Sequence, residues 1–361
     1  MPAEYLFPTR RRFLAAAAAT TASALTATTA SALTATARQQ PVPAPVTFGE
    51  GSARFTLDPA WGRLPDGQRY GLGCAVVVDG RDRVFVTSRS ASPCVAIFDR
   101  DGRLLETWTT DFAAGIGMTP AQVAGTAHGL YWSKEGNNEY LYWTENVSAP
   151  KGAPRIGARV YKTDLAGKVL YTLGNVASES ATSQRIDFTN PTDVAVAPNG
   201  DVYVVDGYGS QRVFRFDKEF RLLRVIGGPG KEHGKFSTCH GVWVSTLRRD
   251  PEVYIADRAN GRIEVYSPEL EYKRTIPNFH APCCFYQHDG RIYVPELTRR
   301  VTIIDADDKV VAHLGDGAGA QAPAADPSKF AAPHALTVSS AGDVYVVEWV
   351  ADGRVRKLRR G

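Results

Sequence analysis

The chain has 361 residues, is 43% hydrophobic and 22% charged, and carries a formal net charge of +4. That apolar content excludes a disordered polyelectrolyte. The net charge includes Arg10, Arg11, Arg12 and Arg38, and no basic stripe interleaves with aromatic residues, so nucleic acid is not an expected partner.

Residues 1–37 read as a targeting segment. Thr9-Arg10-Arg11-Arg12-Phe13-Leu14 is a twin-arginine pattern before a weakly apolar Ala/Thr run, and Ala35-Thr36-Ala37 offers a small-residue cleavage site. The expectation is export to a periplasmic or extracellular location. No membrane anchor is expected after cleavage, because the run lacks an uninterrupted span of about 20 apolar residues. Residues 38–51 read as a Pro-rich linker, and the propeller described below is expected over 52–361.

Ser52 to Leu57 alternates like one isolated strand. The following chain repeats a three- to four-strand pattern in six units: Gly71 to Trp108, Gly125 to Gly174, Pro191 to Asp217, Ser237 to Ile276, His280 to Gly315 and Ala332 to Leu358. The third unit, PTDVAVAPNGDVYVVDGYGSQRVFRFD, shows the template: β-branched and aromatic runs broken at Pro198-Asn199-Gly200 and again at Asp206 to Gln211. Repeats of roughly 40 to 50 residues with this patterning predict an all-β, six-bladed β-propeller of the NHL type. The last unit has three clear strands, so the Ser52 to Leu57 strand is expected to close the ring.

Aligned on the start of the first strand, His128, His240 and His334 share one position in the second, fourth and sixth units, while Gly73, Thr192 and Cys283 stand there in the others. Alternate blades of a six-fold ring lie about 120° apart, so the three imidazoles are expected to converge on the central axis. Three imidazoles with an open position make the ligand set of a catalytic zinc. Cys239 and Cys283 lie near enough to the axis to be soft ligands, although three histidines and a water already complete a tetrahedral site. Pairing of the five cysteines stays open: a Cys74–Cys94 disulfide, a vicinal Cys283–Cys284 bridge, or buried free thiols.

The order PTDVAVAPNGDVYVVDGYGSQRV, ADRANGRIEVY and PHALTV, over about residues 67 to 359, resembles the peptidyl-α-hydroxyglycine α-amidating lyases. The resemblance implies a six-bladed propeller whose zinc is held by His128, His240 and His334, and which releases a peptide amide and glyoxylate. It also implies an active-site tyrosine at Tyr208, in Asp206-Gly207-Tyr208, and site arginines at Arg89 and Arg258. Tyr208 is the expected base, Arg89 the expected clamp for a substrate carboxylate, and Arg258 shares that work. Ala332 replaces the family's methionine and Ala335 its calcium-holding acid, which leaves a structural calcium doubtful; Gly209 replaces a disulfide cysteine.

The sequence therefore predicts an exported, monomeric zinc lyase cleaving the C–N bond of an α-hydroxylated amide in a small-molecule or peptide substrate. A non-catalytic NHL-type propeller that binds a ligand or protein, and a metal-dependent hydrolase on the same scaffold, remain as alternatives.

Overall fold

Short runs rich in Val, Ile, Tyr and Phe, punctuated by Gly, Pro and Asn, fold into six predominantly antiparallel sheets that are the blades of a β-propeller. The computed structural model describes residues 44–148, 155–317, 326, 328–351 and 353–361. The expected targeting segment at 1–37 and residues 38–43 of the expected linker lie outside the described residues.

Blade three shows how a unit is built. Its strands Asp193–Val196, Val202–Val205, Arg212–Phe216 and Leu222–Gly227 pair in sequence from the central channel outward. Gly200 closes the first turn at φ +91°, where a side chain would be strained, and its N–H donates to Ala197 O at 2.9 Å. Blades one, four and five repeat this four-strand order, and blade two adds Ser183–Arg185 in parallel at its outer edge.

Blade six closes the ring. Pro333–Val338, Val344–Glu348 and Arg354–Arg360 are joined by Phe55–Asp58, with Phe55 opposite Arg360 and Leu57 opposite Leu358. The expected closing strand is therefore in place, and the sheet extends further back than its expected start at residue 52. Thr47–Phe48 pairs with Phe55–Thr56, inside the expected linker. The physical reason is burial: Phe48 is 3% exposed and packs against Phe330 with ring centroids 4.7 Å apart.

Apolar side chains fill the spaces between neighbouring blades. Val205 and Val213 of blade three pack with Val242, Val253 and Ile255 of blade four, and each such buried side chain contributes roughly 1.5–3 kcal/mol. Polar latches supplement this packing. The acid at the end of the second strand in blades four to six, and just after it in blade three, accepts backbone N–H groups at the entry to its own blade. Asp206 takes those of Thr189 and Asn190, Asp257 that of Ser237, Glu296 that of His280, and Glu348 those of Ala331 and Ala332. Two short helices, Thr110–Gly115 and Pro120–Thr126, cross between blades one and two. Among the described residues no helix is long and apolar enough to cross a membrane. All five cysteines are free thiols, four of them buried.

Candidate metal centre

Each histidine of the alternate blades sits where the ladder between the first two strands of its blade slips. The register shifts between Ala127 and Leu130, between Cys239 and Val242, and between Pro333 and Ala335. Such irregularities re-aim a side chain, and here they turn all three imidazoles to the axis. Blade one slips between Gly73 and Ala75, which makes Cys74 the counterpart of the histidines. The expected Gly73 is one residue out of phase.

The three rings lie with centroids 4.8, 5.1 and 4.9 Å apart and interplanar angles of 66°, 85° and 84°. Their ligand atoms all fall within 4.8 Å of one another. Every Nδ1–H is spoken for by a main-chain carbonyl of the following blade: His128 to Thr192 O at 2.6 Å, His240 to Cys283 O at 2.7 Å and His334 to Cys74 O at 2.8 Å. These bonds fix the tautomer, so each Nε2 presents a lone pair. The Nε2 atoms of His128 and His334 are buried with no partner, an arrangement costing about 1–3 kcal/mol per atom unless something accepts the lone pair. Burial holds all three rings well below the ordinary histidine range, His334 at about 3, with neighbouring imidazoles and Arg258 adding to the effect in His128 and His240. Three neutral imidazoles with inward lone pairs fit a zinc ion with an open coordination position.

Tyr208 enters from the loop after the second strand of blade three. Its Oη–H reaches His240 Nε2 at 3.1 Å, Arg258 Nη1 donates to the same oxygen at 3.0 Å, and the guanidinium lies 5.1 Å from the ring centroid. Burial raises the phenol above its ordinary value, and Arg258 opposes that rise. Tyr208 remains 37% exposed, so this face opens to solvent.

Arg89 is less free than a carboxylate clamp would be. Nη1 donates to Gly125 O and Nη2 to Asn146 Oδ1 at 2.7 Å, both in the segment entering or crossing blade two, while Nε is buried and unpartnered. The predicted residues His128, His240, His334, Tyr208 and Arg258 are brought together, and Arg89 lies beside them through Trp349. That indole packs on His334 at 4.8 Å, faces His128 at 6.2 Å and lies 5.6 Å beneath the Arg89 guanidinium.

Sequence reasoning missed Trp349 and Asn146. Both immediately follow the last residue of a second strand, as Arg89 follows Ser88 and Arg258 follows Asp257. Comparison of that one phase across blades would have found them. The thiols do not join the metal cluster. Burial pushes Cys283 up to about 11 despite Arg258, and Cys239 well above its ordinary range, so neither is a ready thiolate.

A family model described as the NHL repeat matches residues 188–216, which form most of blade three. NHL repeat-containing protein 3 of Homo sapiens is 26% identical over 218 residues, covering 60% of this chain and 57% of that protein. A protein named probable peptidyl-alpha-hydroxyglycine alpha-amidating lyase, from Caenorhabditis elegans, is 29% identical over 187 residues, 51% of this chain and 46% of the other. The matches thus span about half the length of these relatives. Among solved structures, a streptogramin B lyase superposes with a TM-score of 0.53 at 13% identity, covering 85% of this chain and 98% of that one. A gluconolactonase from Xanthomonas campestris gives a TM-score of 0.57 at 12% identity, covering 86% and 91%; both likenesses speak to fold alone. The chain is a six-bladed β-propeller with an NHL repeat in its third blade, similar at modest identity to proteins named as peptidyl-alpha-hydroxyglycine alpha-amidating lyases.

Proposed function

We propose that the protein is an exported, zinc-dependent lyase that cleaves the C–N bond of an α-hydroxylated amide, giving an amide and glyoxylate or a related carbonyl product. The carrying observation is the convergence of three neutral, tautomer-locked imidazoles beside Tyr208, whose Oη is 3.1 Å from His240 Nε2 and 3.0 Å from Arg258. Similarity to proteins named as lyases of peptidyl-α-hydroxyglycine supports the substrate class, and the twin-arginine pattern at Arg10 to Arg12 supports export.

A zinc ion held by His128, His240 and His334 supplies Lewis acidity, lowering the pKa of an oxygen acid it contacts as it lowers that of water to about 7. With His240 Nε2 given to the metal, Tyr208 would lose the proton it holds there and, as the phenolate, would take the proton of the substrate hydroxyl. The O–H electron pair becomes the second C–O bond, the C–N bond breaks, and its pair leaves on the amide nitrogen. Tyr208 returns the proton to that nitrogen, which balances the step. Arg258 favours the phenolate form through its charge and its hydrogen bond. Its remaining N–H groups are the better fork for a substrate carboxylate, because Arg89 is tied to Gly125 and Asn146 and contributes mainly positive charge.

A metal-holding propeller without turnover is the second reading, favoured by the match to relatives named only for their NHL repeats. The two separate on glyoxylate release from an N-acyl-α-hydroxyglycine by the zinc-loaded protein. Release that is lost in Tyr208→Phe while zinc is retained supports the lyase. No release by the unsubstituted chain at saturating zinc leaves the second reading.

A further inference from the structure

The three histidines form a partition. On one side stand Tyr208, Arg258 and Trp349; on the other is a cavity of about 610 Å³ running along the inner strands, lined by the histidines but by none of those three residues. Small residues behind the partition, Ala75, Gly129 and Ala335, keep the channel wide there. Further along, the wall is aliphatic (Val77, Leu130, Val244, Leu336) and then aromatic, with Tyr131, Trp243 and Tyr286 in a row whose ring centroids are 5.5 and 5.4 Å apart.

Two carboxylates line this space: Glu135, already paired with Lys162 and Tyr142, and Asp193, which has no cationic partner. Asp193, at the start of the inner strand of blade three, accepts Val242 N–H on Oδ2 at 3.1 Å, and Oδ1 lies toward Gly129, where an added Cβ would come within 3.0 Å of it. Only backbone N–H groups offset its burial, and burial raises its carboxyl to about 7. Lys134 and Lys218 also line the cavity, but Asp193 is offset only by backbone N–H groups and by neither lysine, which leaves it an unfinished ion pair. The surroundings select the missing partner. A divalent, oxygen-seeking ion takes six to eight oxygen ligands, whereas the side chains around Asp193 are mainly aliphatic, aromatic or, in Cys284, a thiol. An organic ammonium matches better, because its charge meets the carboxylate, its body covers the aliphatic wall, and the aromatic faces attract a cation. Trp243 lines the same cavity, and its Nε1–H is buried without a partner, which offers a donor to a polar atom on the ligand.

We propose that the channel behind the histidines binds a small molecule carrying a protonated amine on an apolar body, with Asp193 as the counter-charge. The site is distinct from the lyase site on the other side of the partition and does not require it to be catalytic.

The test is calorimetric titration of the purified chain, zinc-free and zinc-loaded, with n-hexylammonium and with n-hexanol as the neutral control. Hexylammonium is expected to bind more tightly than hexanol, and Asp193→Asn to weaken the amine at least tenfold while leaving the alcohol unchanged. Should that variant fail to fold, Cys284→Met, which fills the channel beside Asp193, is expected to weaken both ligands. Failure of hexylammonium to bind the unsubstituted chain, equal affinity for amine and alcohol, or loss of the amine on adding millimolar calcium alone would overturn the proposal; the last result would assign Asp193 to an inorganic cation.

Discussion

His128 donates its Nδ1–H to the carbonyl oxygen of Thr192, 2.6 Å away in the next blade. His240 and His334 make the same bond to Cys283 and Cys74, so the three blades without a histidine supply the carbonyls that orient the three with one. Because the acceptors are main-chain atoms, the propeller backbone itself fixes the tautomers. A lone pair aimed into a buried centre is unfavourable until an ion takes it up.

That cost predicts opposite effects of one substitution on the metal-free and zinc-loaded protein. His128→Leu removes an unpartnered buried nitrogen, and Thr192 O still accepts Thr144 Oγ1 at 3.0 Å. Scanning calorimetry is expected to show the metal-free variant melting about 2–4 °C above the unsubstituted chain. Zinc should raise the melting temperature of the unsubstituted chain and leave that of the variant unchanged.

Tyr208→Phe removes a hydroxyl from a residue that is 37% exposed, so its fold and zinc content should be preserved. Loss of the base is expected to lower kcat for glyoxylate release by about 10²–10⁴-fold. Turnover within a factor of two of the unsubstituted chain would remove Tyr208 from the proton transfer.

Much of this architecture was legible in the sequence because each blade repeats one polarity pattern. Strand starts align on that pattern, and the alignment puts His128, His240 and His334 at one position facing the axis. It places Gly73 one residue out of phase: Cys74, before Ala75 and Val76, stands where His128 stands before Gly129 and Leu130, and blade one slips there as the histidine blades do. The helix Pro120–Thr126 stands outside the repeated strand pattern, and its local mark is the capping box of Thr119 and Gln122 with Pro120 in the first turn. Trp349 was missed for a different reason. A single aromatic after a strand has no local motif, and only the loop geometry brings it onto His334 and beneath Arg89.

Asp193 makes stability depend on pH in a direction opposite to that of a salt-bridged acid. Burial raises its folded pKa from 3.8 to about 7, so the native state keeps a proton that the unfolded chain has released. The contribution is fully present below the unfolded value, falls as pH rises from about 4 to 7, and stays low above that. Asp193→Asn should therefore melt above the unsubstituted chain at pH 8, with the gap closing by pH 4. A gap independent of pH would show that the carboxyl is not carrying the effect.

Ring closure rests on Phe55–Asp58, and Phe55 is 2% exposed within the core shared by blades five and six. Phe55→Ala is expected to cost about 3–5 kcal/mol in denaturant unfolding, as deletion of a buried aromatic does. A loss below about 1 kcal/mol would mean that the ring holds without this strand's packing.

The most direct measurement is metal content by plasma mass spectrometry on the purified chain, beside a variant with His128, His240 and His334 all replaced by Ala. One zinc per chain, absent from the folded variant, is the expected result. Absence of zinc from the unsubstituted chain even after zinc is supplied, or equal zinc in both proteins, would contradict a metal centre at the three histidines.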